Sequence, residues 1–191
     1  MFNVSAIIVT YKRRKKLQQA INSVLNQSYK PKELIVVNNN SYPIKLKKKI
    51  VGINIRVINC FKNFKSVNGR NLGVNFSKGN FLAFLDDDDT WDIDYLRTVK
   101  KKYYQNKYDV FVSKMHYYNQ KNKLYKQFVR EKNNLILDKV FTINTGFATS
   151  NIIIYKNIFK KVGGYDDKAI PAEDRVLLIE LILNKIKICS T

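Results

Sequence analysis

A single histidine, His116, and two cysteines, Cys60 and Cys189, are all that 191 residues offer in the way of nitrogen and sulfur metal ligands. Histidine-based metal sites and a Ser-His-Asp triad are therefore essentially excluded. The cysteines have no motif spacing; they suit a reducing, cytosolic setting and do not look like zinc ligands. Acidic residues are scarce too: 15 Asp and Glu stand against 35 Lys and Arg, a formal net charge of +20. Such a charge implies anionic partners, whether nucleic acid, an anionic membrane face or phosphorylated substrates. No zinc-finger, RNP or helix-turn-helix pattern accompanies it, and the basic residues are dispersed over 12–16, 45–49, 100–102, 121–126 and 160–161 rather than drawn into one helical stripe. Nucleic acid is accordingly not an expected partner. No run of 18 apolar residues occurs, so no membrane-spanning helix is expected. In the opening stretch MFNVSAIIVTYKRRKK the charges follow the apolar residues, the reverse of a signal peptide.

The few acids are gathered rather than spread. Asp86, Asp87, Asp88, Asp89, Asp92 and Asp94 hold six of the 15, and Asp166, Asp167, Glu173 and Asp174 hold four more. The first group opens inside FLAFLDDDDTW, directly after a short apolar run. Adjacent carboxylates repel and raise one another's pKa, so the run costs stability unless a cation neutralises it. Placed at the carboxyl end of a strand, it lies where open α/β sheets bind ligands. A solvated acidic loop is the plainer alternative.

Length and a hydrophobic content of 45% suit one domain with an ordinary core, residues 1–191. Apolar, β-branched runs predict strands at 4–9, 34–37, 55–58, 81–85, 110–113 and 148–155. Helical spacing predicts helices at 15–26, 71–76, 93–104, 157–162 and 173–185, with Asp92 as an N-cap of the third. Residues 114–145 read as a hairpin followed by a loose segment, and IKICST as the start of one more strand. Strands alternating with helices imply a three-layer, mainly parallel α/β sheet. The loops at 10–12, 38–41 and 86–89 each follow a strand and should meet in one crevice.

Three blocks, VSAIIVTYKRRKKLQQAINSVLNQSYKPKELIVVNNNS, NGRNLGVNFSKGNFLAFLDDDDTW and GGYDDKAIPAEDRVL, resemble the family 2 glycosyltransferases of the GT-A, Rossmann-like fold. The resemblance implies a nucleotide-diphospho-sugar donor, a divalent metal (Mn²⁺ or Mg²⁺) and transfer with inversion at the anomeric carbon. It implies that Thr10 and Tyr11 pack the nucleotide base and that Asn39 contacts it, although the family usually carries Asp there. Lys12 stands in place of a common Asn or Asp. Arg70 and Asn71 match the RN motif near the donor. Asp86, Asp87 and Asp88 match the DXD motif, with Asp88 as metal ligand and Asp87 near the ribose or metal. Glu173 and Asp174 match the ED motif, whose Asp is the catalytic base. Residues 1–113 would form the nucleotide-sugar half and 114–191 an acceptor-side half.

The chemistry favours these residue types independently. A hard cation on carboxylate oxygens stabilises a departing diphosphate, and a separate carboxylate can take the proton of an attacking hydroxyl. Plainer roles stand beside each: Tyr11 as a core ring, Asn38 to Asn40 as a turn, Arg70 as a brace for the Asp loop, Asp174 as a helix opener, Trp91 as packing, Asp89 as a support behind the ligands, His116 as structural or exposed. The expectation is a metal-dependent enzyme building a cell-surface polysaccharide, lipopolysaccharide or glycolipid from a UDP-sugar. It would be cytoplasmic and peripheral to the inner membrane face, with a glycan or lipid-linked acceptor. Family members normally continue past this C-terminus, so the chain reads as C-terminally short. The alternative is a truncated or degenerate member that binds nucleotide-sugar or a partner without efficient turnover; in either case the last helix offers a contact for oligomers.

Overall fold

The computed structural model describes residues 1–44, 46, 49–50, 52–61, 65–118, 124–128, 137–142 and 145–191. Among the described residues, ten strands and six α-helices run in the order β1 (Val4–Thr10), α1 (Arg14–Leu25), β2 (Glu33–Asn38), β3 (Lys49–Ile50), β4 (Ile53–Asn59), α2 (Ser66–Phe76), β5 (Phe81–Asp86), α3 (Tyr95–Asn106), β6 (Val110–Val112), β7 (Met115–Tyr118), β8 (Leu124–Phe128), α4 (Leu137–Thr142), β9 (Ile152–Tyr155), α5 (Lys156–Lys161), α6 (Glu173–Leu183) and β10 (Ile188–Ser190). Eight strands form one sheet in the order β10-β6-β9-β5-β1-β2-β4-β3, and β7 pairs with β8 in a separate hairpin. The central strands β4, β2, β1 and β5 are parallel, as is β10 on β6. Strand β9 runs antiparallel between β5 and β6, and β3 antiparallel on β4.

The central strands are apolar on both faces because helices cover both. Alternate residues of β1 and β2 point to opposite sides. Ala6, Ile8, Leu34 and Val36 meet Leu17, Ala20, Ile21 and Val24 of α1 and Leu96 and Val99 of α3. Ile7, Ile35 and Val37 meet Val67 and Val74 of α2, Phe159 of α5 and Leu177, Leu178 and Leu181 of α6. Each large side chain so buried contributes about 1.5–3 kcal/mol. The three-layer α/β expectation is met. Of the last helix's apolar residues, Leu177, Leu178 and Leu181 are buried, whereas Leu183 is exposed.

Beyond shifts of one or two residues at element ends and the unexpected two-residue β3, the elements differ from expectation in four places. Helix α2 begins at Ser66 rather than at residue 71. Its first turns carry Gly69, which reads as a breaker, and with Gly73 it brings the helix against β1: a Cβ at Gly69 would meet Val9 Cγ1 at 2.7 Å, and one at Gly73 would meet Ile7 Cγ2 at 2.6 Å. Helix α3 starts at Tyr95 with Asp94, not Asp92, at the N-cap. Asp92 instead accepts the Asp94 amide with Oδ1 at 3.0 Å, the short local bond that lets Asp hold a turn. The strand expected from residue 148 begins only at Ile152, because Thr149–Asn151 form a 3-10 turn. Residues 114–145 do hold a hairpin, but a short helix, α4, follows within the segment read as loose; Val140 packs it into the core. Residues 45, 47–48 and 121–123, which carry parts of the expected basic runs, lie outside the described residues, as do 119–120, 129–136 and 143–144 of that segment. Among the described residues no helix is long and apolar enough to cross a membrane.

Candidate functional site

Because β1, β2 and β5 are parallel and in register, Thr10 pairs with Asn38 and Val9 with Asp86. Their following loops therefore open on one edge of the sheet. There they line an open cleft of about 490 Å³ with Thr10, Tyr11, Asn39, Arg70, Asp86, Asp87 and Asp88. All six expected donor-side residues and the expected metal ligand thus share one cleft.

The aspartate run is held residue by residue. The Thr10 hydroxyl donates to Asp87 Oδ2 at 2.7 Å, and the Tyr11 amide approaches the same oxygen at 3.4 Å. Arg13 donates through Nη1 to Asp87 Oδ1 at 3.2 Å and Asp88 Oδ2 at 2.6 Å, with Lys16 Nζ 3.7 Å from the latter. Arg70 donates to Asp86 Oδ1 at 2.6 Å and to Glu173 Oε1 at 3.1 Å. Basic side chains of the chain itself therefore balance the run. Asp89 is left to carry the strain: burial lifts its carboxyl above the ordinary value, Ser150 offsets part of this, and Asp86, Asp88 and Asp87 add repulsion.

Tyr11 is not a core ring. It is 39% exposed at the cleft, with Lys12 Nζ 5.0 Å from its ring centre. In the asparagine run, the outer two residues make the turn. Asn38 Oδ1 accepts from the Asn40 amide and side chain, Asn38 Nδ2 donates to the Tyr42 carbonyl, and Asn40 Oδ1 accepts from the Lys12 amide. Asn39, between them, faces the cleft, its amide bonded to the Thr10 carbonyl at 3.0 Å. Trp91 is buried packing: it lies on Tyr95 and its indole N–H donates to the Ser150 carbonyl at 2.8 Å. His116 is exposed on the β7–β8 hairpin.

Asp174 does not line the cleft. It opens α6 behind Arg70. The Thr149 amide donates to its Oδ2 at 3.1 Å and the Thr149 hydroxyl to its Oδ1 at 2.6 Å. Burial raises its pKa above the ordinary carboxylate value, with the Thr149 bonds and the Arg70 charge acting against that rise. Burial also opposes charge on Arg70, but Asp86 overrides it and keeps the guanidinium protonated. Arg70 thus joins the two acidic clusters: Asp86 at one end, Glu173 and Asp174 at the other. Its Nε is buried with no hydrogen-bond partner among the described residues. Among the described residues no three His, Cys, Asp or Glu side chains gather as a complete metal cage.

The profile of glycosyl transferase family 2 matches residues 5–163, from the first strand to the turn after α5. The chain belongs to glycosyl transferase family 2. Among relatives of this family, it is 28% identical over 197 residues to the poly(ribitol-phosphate) beta-N-acetylglucosaminyltransferase TarP of Staphylococcus aureus (strain N315), covering 96% of this chain and 58% of TarP. It is 23% identical over 160 residues to the glycosyltransferase GlyA of Streptococcus pneumoniae serotype 4, covering 82% of this chain and 22% of GlyA. The crystal structure of S. aureus TarS 1-349 in complex with UDP-GlcNAc superposes with a TM-score of 0.72 at 18% identity, covering 99% of this chain and 56% of TarS. That likeness establishes the GT-A fold. The chain spans little more than half the length of TarP and of TarS 1-349, and less of GlyA.

Several residues of this family 2 site escape sequence reasoning. Lys65 and Ser66 line the cleft because α2 starts earlier than its composition suggests. Arg13 sits in a basic string, YKRRKK, where nothing singles it out. Thr149 falls in a stretch that reads as strand, and only the 3-10 turn brings it to Asp174.

Proposed function

We propose that this chain carries the donor site of a metal-dependent, inverting glycosyltransferase. It would move a sugar from a nucleotide-diphospho-sugar, a UDP-sugar in the first instance, to a hydroxyl of a cell-surface polysaccharide or glycolipid acceptor. The observation that carries this reading is the single cleft at the carboxyl ends of β1, β2 and β5, with its exposed ring, its amide side chain and its three carboxylates. Tyr11 offers a face for the base and Asn39 donor and acceptor atoms for the base edge. Asp87, whose Oδ2 accepts the Thr10 hydroxyl, would meet the ribose side. That TarS was solved with UDP-GlcNAc supports uridine as the base.

The residues fit a hard cation. Asp86 and Asp88 are 37% and 34% exposed. Mg²⁺ or Mn²⁺ is commonly held by one or two carboxylates, with phosphates and water completing its shell. Asp88 would hold the ion, which when bound neutralises the charge growing on the departing diphosphate. Asp174, apart from that group, is the base that takes the acceptor proton, and its raised pKa brings it nearer the range where a general base works well. Arg70 bonds Asp86 in the aspartate run and Glu173 beside Asp174, and so links the two segments. The high positive charge suits work at an anionic inner-membrane face.

Calorimetric titration with a panel of nucleotide sugars, in Mn²⁺ and in EDTA, tests the reading. Metal-dependent binding of one of them is expected. Asp88→Ala should lose that dependence while keeping its melting temperature, since the side chain is partly exposed and its loss relieves repulsion on Asp89. Binding with unchanged metal dependence in Asp88→Ala would remove Asp88 as the ligand. A protein that binds no nucleotide sugar would end the reading altogether.

A further inference from the structure

Two arginines share the aspartate run under opposite conditions. The Arg70 side chain is 7% exposed and pinned by carboxylates at both ends, Asp86 and Glu173. The Arg13 side chain is 52% exposed, and among the described residues it bonds only Asp87 and Asp88. It stands just before α1, so its backbone is anchored while its side chain reaches freely over the cleft mouth. Arg13 Nη1 lies 2.6 Å from the same Asp88 Oδ2 that Lys16 approaches at 3.7 Å. The guanidinium charge at that oxygen repels an incoming divalent cation and competes with it for the Asp88 carboxylate.

We propose that Arg13 is a displaceable counter-cation. It holds Asp87 and Asp88 together while no donor is present, yields Asp88 to the divalent ion, and turns to the donor's diphosphate. This rests on the reading of Asp88 as the metal ligand. A guanidinium released from carboxylates pairs well with a diphosphate, whose oxygens match its fork of N–H groups. Metal alone competes with the Arg13 charge, which then has no new anion to receive it. Metal arriving with a nucleoside diphosphate supplies the new acceptor. The two ligands therefore bind with more positive coupling than the ion–diphosphate contact alone would give, and Arg13 is the positioning residue that adds it.

Mn²⁺ titrations, read by the signal of the free ion, would be run on the intact chain with and without UDP for the wild type, Arg13→Gln, Arg13→Lys and Lys16→Gln. Without UDP, Arg13→Gln should bind Mn²⁺ about tenfold more tightly than the wild type, inside the usual range of site–site couplings. UDP should then raise its Mn²⁺ affinity less than it raises the wild type's, the remainder being the diphosphate's own contact with the ion. Arg13→Lys should restore part of the coupling, and Lys16→Gln should shift affinity less than Arg13→Gln because Lys16 makes only the longer contact. Melting temperatures check that each variant folds. If the wild type binds Mn²⁺ and UDP but Arg13→Gln matches it in both conditions, the proposal falls and the Asp88 reading stands. If no variant and no wild type binds Mn²⁺, with or without UDP, both fall together.

Discussion

Thr149 grips Asp174 twice, its amide on one carboxylate oxygen at 3.1 Å and its hydroxyl on the other at 2.6 Å. The same hydroxyl lies 3.2 Å from the hydroxyl of Tyr165, a buried ring that Arg70 overlies. The proposed base is thus oriented by a short turn, while Arg70 ties its neighbour Glu173 to Asp86 at the cleft. Charge at the cleft and charge at the base are consequently parts of one network.

Thr149→Val keeps shape and amide but removes the hydroxyl bond that favours ionised Asp174. Its pKa should rise further, so the acid limb of the pH–rate profile for donor turnover should move to higher pH. An acid limb at the wild-type position would show that Thr149 does not tune this carboxyl. The same shift predicts a stability effect of defined sign. A carboxyl whose folded pKa is raised binds its proton more tightly in the fold than in the unfolded chain. That contribution is present in acid and is lost as pH rises through the folded pKa. Asp174→Asn cannot ionise, so its stability relative to the wild type should improve as pH rises from acid toward neutrality. Urea unfolding across that window checks the slope.

Arg70→Met should destabilise the fold by about 2–3 kcal/mol. Removing one member of a buried ion pair typically costs 3–5 kcal/mol, and the value is reduced here because Asp86 is open to water. Urea midpoints measure it. The double variant Arg70→Met with Glu173→Gln should recover part of the loss, since the stranded carboxylate is then neutral. A double variant no more stable than Arg70→Met would exclude the ion pair as the cause.

Much of this was legible in the residues, for a physical reason. A strand buried on both faces must be continuously apolar, so VSAIIV, LIVV and FLAFL declare themselves, and the polar residues that end them must fall on one edge if the strands are parallel. Hence Thr10, Asn39 and Asp86 to Asp88 could be brought together without coordinates. The direction of β9 could not, because an antiparallel strand in a covered sheet has the same apolar composition as a parallel one. The first turn of α2 is hidden for a different reason: Gly69 is a poor helix former whose value lies in its close approach to Val9, which sequence spacing does not reveal. Arg13 and Thr149 depend on tertiary reach, over 74 and 25 residues, and carry no local signal.

The proposed membrane association makes a salt-dependent prediction. Arg14, Lys15 and Lys16 of α1 and Arg97 and Lys101 of α3 are exposed, and these helices cover the same face of the sheet. Each such residue near an anionic surface contributes about 1 kcal/mol, and salt screens it. The protein should float with phosphatidylserine-rich vesicles at low salt and leave them at high salt. Replacing Lys15, Arg97 and Lys101 with Glu should abolish flotation. Absence of binding at low salt would refute the membrane proposal while leaving the donor site untouched.

Gly69 links the core to the cleft, and its substitution should report on both. It lies one residue before Arg70, and an added methyl would come within 2.7 Å of Val9 Cγ1, 3.2 Å of Val9 Cγ2 and 3.4 Å of Asn39 Nδ2. Val9 is β-branched and stiff at χ1, so it cannot simply rotate away. The helix must then back off from β1, carrying Arg70 away from Asp86. Helix propensity favours Ala over Gly by about 1 kcal/mol, whereas overpacking costs about 1–3 kcal/mol. Packing should win, leaving Gly69→Ala less stable than the wild type, with weaker nucleotide-sugar binding because Arg70, Val9 and Asn39 all line the cleft. Val9→Ala removes the methyls that the new Cβ meets. In the Gly69→Ala, Val9→Ala double variant the clash is gone and the propensity gain remains. Its loss of stability should therefore be smaller than the sum of the two single losses, measured by urea unfolding as a double-mutant cycle. Additive losses would mean that α2 has room at Gly69, and that its approach to β1 is not what seats Arg70 against Asp86.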